Sequence, residues 1–100
     1  MEFIVSPEAR LLLEKKRSRT IAVEVITADH SDFDVTELHV HPVSDRVAAN
    51  LINEKHYRPR QADDLTVLLP NYRLTYADTV TFGTKKVLWF TALTYTGISL

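Results

Sequence analysis

The sequence predicts an α+β domain, mainly antiparallel β with an N-terminal helix packed on the sheet. Two observations carry this. Ser6, Pro7 and Glu8 supply an N-cap, a ring preset for the first helical turn and an early acid, and apolar residues at helical spacing follow them. From residue 20 onward the apolar residues instead alternate, or run in short β-rich stretches bounded by turn residues. One hundred residues, 45% of them hydrophobic and 25% charged, suit a single domain spanning residues 1–100, whose core forms without metal or disulfide staples.

Taken in order, Phe3, Ile4 and Val5 form a short β-prone opening, and the helix begins at Pro7. Ala9, Leu12, Leu13 and Lys16 recur on one side of it, Arg10, Glu14, Lys15 and Arg17 on the other, and it ends near Arg17. Ile21, Val23 and Val25 alternate with Ala22, Glu24 and Ile26 in a strand over about residues 20 to 27. Residues 28 to 34 gather Asp29, His30, Ser31, Asp32 and Asp34 into a polar loop or hairpin connection. A second strand covers Val35 to Val43, with Val35, Glu37, His39 and His41 on one face and Thr36, Leu38, Val40 and Pro42 on the other.

Ser44 and Asp45 can cap a short helix whose stripe is Val47, Ala48, Leu51 and Ile52. Arg58, Pro59 and Arg60 break it, and a polar stretch through Asp64 leads into the apolar run Leu65 to Leu69. Pro70 and Asn71 turn the chain; Tyr72, Leu74 and Tyr76 alternate; Asp78 to Phe82 reads as strand, and Val87 to Leu93, with Trp89 and Phe90, as a buried strand. Gly97 lets the chain bend before Ile98.

Composition excludes much chemistry. No residue is Cys, which removes disulfides, thiolate nucleophiles, cysteine zinc sites and cysteine-held iron–sulfur clusters together. The formal net charge of -1 gives no overall field toward nucleic acid or anionic lipid, so neither is expected as a partner. No apolar run approaches the roughly 20 residues that cross a bilayer, and the Met1, Glu2 start lacks the basic region of a signal peptide. The expected location is the cytoplasm. With Gly83 and Gly97 as its only glycines, the chain has no phosphate-cradling glycine loop.

The opening Phe3, Ile4, Val5, Ser6, Pro7, Glu8, Ala9, with Leu12 and Leu13, resembles the first strand and helix of small HesB-like proteins, the A-type iron–sulfur carrier fold. Leu65 to Pro70, then Asp78 to Phe82, Val87 to Leu93, Gly97 and Ile98, resembles the strand order that closes short members of that family. Together these segments cover about half the chain. The resemblance implies a HesB-like fold and ancestry in iron–sulfur cluster biosynthesis. In the carriers cysteines hold a cluster or iron, and in some short relatives a cysteine pair follows the early strand; here that loop offers Asp29, His30, Ser31 and Asp32. No cluster ligand carries over.

Among the remaining side chains, His39 and His41 would stand on one strand face about 7 Å apart at their backbones. Both could meet one zinc or similar divalent ion, with Asp32 or Glu37 as the first choice of further ligand and His30 or Asp34 also in range if the hairpin brings them close. The competing reading is an exposed, solvated strand face. Ser31 beside His30 suggests a nucleophile and base, but neighbours on an extended chain point to opposite faces. His56 reads as a loop residue. Lys55, His56, Arg58 and Arg60 flank Tyr57 in a small basic patch that could stack a base or bind an anion, with Asp63 and Asp64 expected to offset its field. Trp89, Phe90, Tyr95 and Tyr76 suit a core or an interface, and any left exposed at an edge strand would favour a homodimer.

The functional expectation is therefore a non-enzymatic HesB-like domain that has lost cluster binding, holds no cofactor and acts on a protein partner or small ligand. The alternative is a divalent-metal protein built on His39 and His41 with Asp32 or Glu37. No catalytic residue is assigned.

Overall fold

The computed structural model describes residues 1–30 and 33–100. Among them are seven strands and two helices: β1 Glu2–Val5, α1 Pro7–Lys15, β2 Thr20–His30, β3 Phe33–Val43, α2 Asp45–Lys55, β4 Arg58–Ala62, β5 Leu65–Leu69, β6 Thr75–Val87 and β7 Phe90–Ser99. The strands form a three-stranded sheet, β1-β6-β7, and a four-stranded sheet, β3-β2-β5-β4.

This corrects the α+β expectation of a mainly antiparallel sheet with an N-terminal helix packed on it. The chain is mostly β, its first element is a strand, and both sheets are mixed. β1 runs parallel to β6, with Val5 opposite Phe82, and β2 runs parallel to β5, with Ile21 opposite Val67. Alternation of side chains reports a strand but not the direction of its neighbour. The partners of both parallel pairs lie far apart in sequence, where no local turn signal exists to read.

Both helices start where a serine hydroxyl accepts a backbone N–H: Ser6 Oγ from Ala9 at 3.1 Å, and Ser44 Oγ from Val47 at 3.2 Å. α1 buries Ala9, Leu12 and Leu13 in a core between the sheets that includes Ile21, Val23, Val67, Val80 and Phe82. Phe3 stacks on Phe82 with ring centroids 6.3 Å apart. α2 covers the opposite face of the four-stranded sheet, where Ala48 and Leu51 meet Ala22, Val43 and Leu68. β2 and β5 are thus buried on both faces, which is why Ile21-Ala22-Val23 and Val67-Leu68-Leu69 are unbroken apolar runs. Ser18, buried beside this junction, donates to the Val43 carbonyl at 2.6 Å and accepts the Thr20 N–H at 3.2 Å.

Three local readings also change. The strand over 20 to 27 extends to His30 and pairs antiparallel with β3, with Ala28 opposite Val35 and His30 opposite Phe33, so the 28 to 34 segment is largely strand. The polar stretch after Arg58 is a strand, β4, on the edge of its sheet; only its Ala62 is buried. Val87 to Leu93 is not one buried strand, because Val87 pairs with Phe90 across a two-residue turn that leaves Leu88, Trp89 and Phe90 exposed. No helix among the described residues is long and apolar enough to cross a membrane.

Candidate functional site

β3 carries Glu37, His39 and His41 on one face, and the antiparallel register sets Glu24 of β2 opposite His39 and Ala22 opposite His41. The two histidines do not converge. His39 Nε2 lies 3.0 Å from Glu37 Oε2, along the same strand, while His41 Nε2 lies 2.8 Å from Glu24 Oε2, diagonally across the ladder. Each imidazole is thereby engaged by a different carboxylate. The Glu24 side chain is the more sheltered acid, 23% exposed against 60% for Glu37.

Tyr57, just after α2, packs against the small core under that helix. Its N–H bonds the Leu51 carbonyl at 3.1 Å, and His56 before it takes the left-handed conformation, φ 59°, that ends the helix. Burial pushes the Tyr57 hydroxyl above its ordinary range, and the nearby Glu24 carboxylate pushes it further the same way. Glu24 therefore bonds an imidazole and acts through its charge on a nearby phenol.

Of the metal ligands the sequence suggests, His39, His41 and Glu37 share this face, Asp32 lies outside the described residues, and so do the side chains of His30 and Asp34. Among the described residues no group of three or more His, Asp or Glu gathers around one point. Of the suggested Ser31–His30 pair, Ser31 and the side chain of His30 also fall outside what the structure describes.

A second polar concavity was only half legible in the sequence. Arg58 and Arg60 occupy alternate positions of β4, and Tyr57 lies on the other face of the sheet, so the basic patch does not use the aromatic nearest to it. The arginines instead line a recess of about 310 Å³ with Tyr72 and Arg73, from the connection after β5, and Tyr76 at the start of β6. Tyr76 is half-buried; that burial holds its hydroxyl above the usual range, partly offset by the positive charge of Arg60. Asp63 and Asp64 do not reach across to these arginines. Arg10 on α1 takes both, at 3.2 and 2.8 Å. Arg73 and Tyr76 join the patch through tertiary folding, and no short-range sequence signal links them to it.

No family model, curated protein or solved structure matches the chain. Fold and surface together define a class only: a two-sheet, mixed β domain with one acid–histidine face and one arginine-lined recess.

Proposed function

We propose that the chain is a non-enzymatic domain, HesB-like by descent, that has lost iron–sulfur cluster binding and acts through protein or small-ligand contacts. The observation that carries this is the make-up of the arginine recess. It is lined by guanidinium groups, phenols, an amide and apolar side chains, and none of its lining residues is a serine, histidine or carboxylate. Such a surface can hold a ligand, and it brings together no serine–histidine or histidine–carboxylate pair of the kind that activates a nucleophile. The cysteine-free sequence supports the loss of the cluster, whose usual ligands are thiolates.

A cytoplasmic setting belongs to the same proposal. So does a homodimer, for which exposed Leu88, Trp89 and Phe90 supply an apolar surface; a monomeric mass in light scattering at micromolar concentration removes that part. The central test is anaerobic reconstitution with iron and sulfide. No stable chromophore is expected, and a stoichiometric cluster overturns the reading.

A further inference from the structure

We infer that the recess formed by Arg58, Arg60, Tyr72, Arg73 and Tyr76 binds a phosphate monoester carried on a flat ring, the chemistry of a nucleoside monophosphate. The inference rests on the binding function proposed above and names its ligand class.

Three guanidinium groups line this one recess, and no carboxylate lines it. The described residues pair Arg10 with acids, but not Arg58, Arg60 or Arg73. Like charges held together repel, and in a chain whose net charge is only -1 the cluster is not part of a general basic surface. Asp63 and Asp64, the acids that follow Arg60 in sequence, lie just past the far end of β4. At about 3.3 Å per residue, Asp63 is roughly 10 Å from Arg60 and roughly 16 Å from Arg58, beyond or near a Debye length of about 8 Å. Arg10 bonds both aspartates there and cancels one of their two charges. The recess therefore gathers three cationic side chains with no carboxylate among its lining residues.

Guanidinium groups present paired N–H donors matched to phosphate oxygens, and three of them suit a doubly charged group better than a single carboxylate. Tyr76 adds a phenol, which is protonated at neutral pH and so offers an O–H donor. Tyr72, 53% exposed, supplies an aromatic ring of the kind on which a flat group stacks. A volume of about 310 Å³ lies at the small end of ligand cavities, which favours one mononucleotide-sized molecule over a larger cofactor.

The test is an NMR titration of the full chain with adenosine monophosphate, inorganic phosphate, adenosine and a short single-stranded oligonucleotide. Expected are saturable shifts at Arg58, Arg73, Tyr72 and Tyr76 with adenosine monophosphate, weaker binding of phosphate at the same arginines, and none of adenosine. Affinity should fall as salt rises. Arg58→Gln and Arg73→Gln should each weaken binding by about tenfold or more, while Arg46→Gln on α2 leaves it unchanged. These arginines are exposed, and an unchanged amide spectrum verifies that each variant folds. The inference is overturned if neither phosphate compound gives saturable shifts there, if adenosine binds as well as its monophosphate, or if the Arg58 and Arg73 variants bind normally. Binding of the oligonucleotide with the mononucleotide inert overturns it too, in favour of nucleic acid. Each of these results leaves the cluster-free binding reading standing, since that reading fails on the iron and sulfide reconstitution instead.

Discussion

Arg10 and Asp64 are 54 positions apart in sequence, yet Arg10 Nη1 donates to Asp64 Oδ1 at 2.8 Å. The second nitrogen of the same guanidinium reaches Asp63 Oδ2 at 3.2 Å. One arginine on α1 thus ties that helix to the tight turn between β4 and β5, where Asp63 takes φ 57°. The contact also holds both carboxylates toward α1 and cancels one of the two charges that would otherwise offset Arg58 and Arg60.

The hydrogen bond from Arg10 is the main cause holding the Asp64 carboxyl below its ordinary pKa. A carboxylate depressed in the folded state stabilises the fold fully above its unfolded pKa, about 3.9, and that contribution is lost as pH falls through the folded value. Asp64→Asn should lower the urea midpoint slightly at neutral pH, and the gap from wild type should close toward pH 2. A gap independent of pH in urea titrations would show that the carboxylate charge is not what matters. The effect is small because the pair is open to solvent.

Gly97 sits opposite an irregularity in the β6–β7 ladder: Tyr76 pairs with Ile98 and Thr81 with Thr96, so four residues of β6 face one of β7. Its φ is 89°, and a Cβ there would lie 2.5 Å from the Thr79 carbonyl oxygen and 3.3 Å from Val80 Cα. Both contacts are backbone, which cannot swing aside. Gly97→Ala should cost about 2–4 kcal/mol, far outweighing the ~0.4–1 kcal/mol that alanine gains by restricting the unfolded chain. Denaturant unfolding measures it, and a loss under about 1 kcal/mol would mean the bulge relaxes freely.

The two helix starts were legible because a serine cap and its first turn are written within four residues, as at Ser6 to Ala9 and Ser44 to Val47. β2 was legible from its alternating β-branched residues, and β5 as the apolar run Leu65 to Leu69. β4 was not, since an edge strand presenting Arg58 and Arg60 needs no apolar alternation, and its polar sequence looks like a loop. The parallel pairing of β1 with β6 leaves no local trace. At the site, the shared face of Glu37, His39 and His41 followed from strand periodicity, but the partner Glu24 depended on cross-strand register. Arg73 and Tyr76 depended on tertiary contact alone.

Trp89 misled for a different reason: an aromatic in an apolar run usually means core, whereas this one is 86% exposed. Leu88 precedes it at the first position of the two-residue turn with φ 54°, a conformation that favours glycine in such hairpins. Strain of about 1–2 kcal/mol at a non-glycine residue exceeds the ~0.5–1 kcal/mol of extra chain entropy that glycine loses on folding. Leu88 is 78% exposed, so little burial is given up. Leu88→Gly should therefore raise stability by about 0.5–1 kcal/mol, and a lower melting temperature would show that the leucine side chain contributes more at this tip than its exposure indicates.

Tyr57 offers an alkaline counterpart to Asp64. Burial is the larger cause of its raised pKa and the Glu24 carboxylate the smaller. An acid whose folded pKa exceeds its unfolded value of about 10 leaves stability intact below that pH; above it the unfolded chain loses its proton first, so stability falls as pH rises toward the folded value. Wild type should thus lose denaturant resistance above about pH 10 more steeply than Tyr57→Phe, which has no phenol to ionise there. Glu24→Gln separates the two causes. It should lower the Tyr57 titration midpoint, followed by phenolate absorbance against the Tyr57→Phe background, without returning it to the ordinary value, because burial remains. A complete return would make Glu24 the dominant influence, and no change would place its charge too far from the ring to act on it.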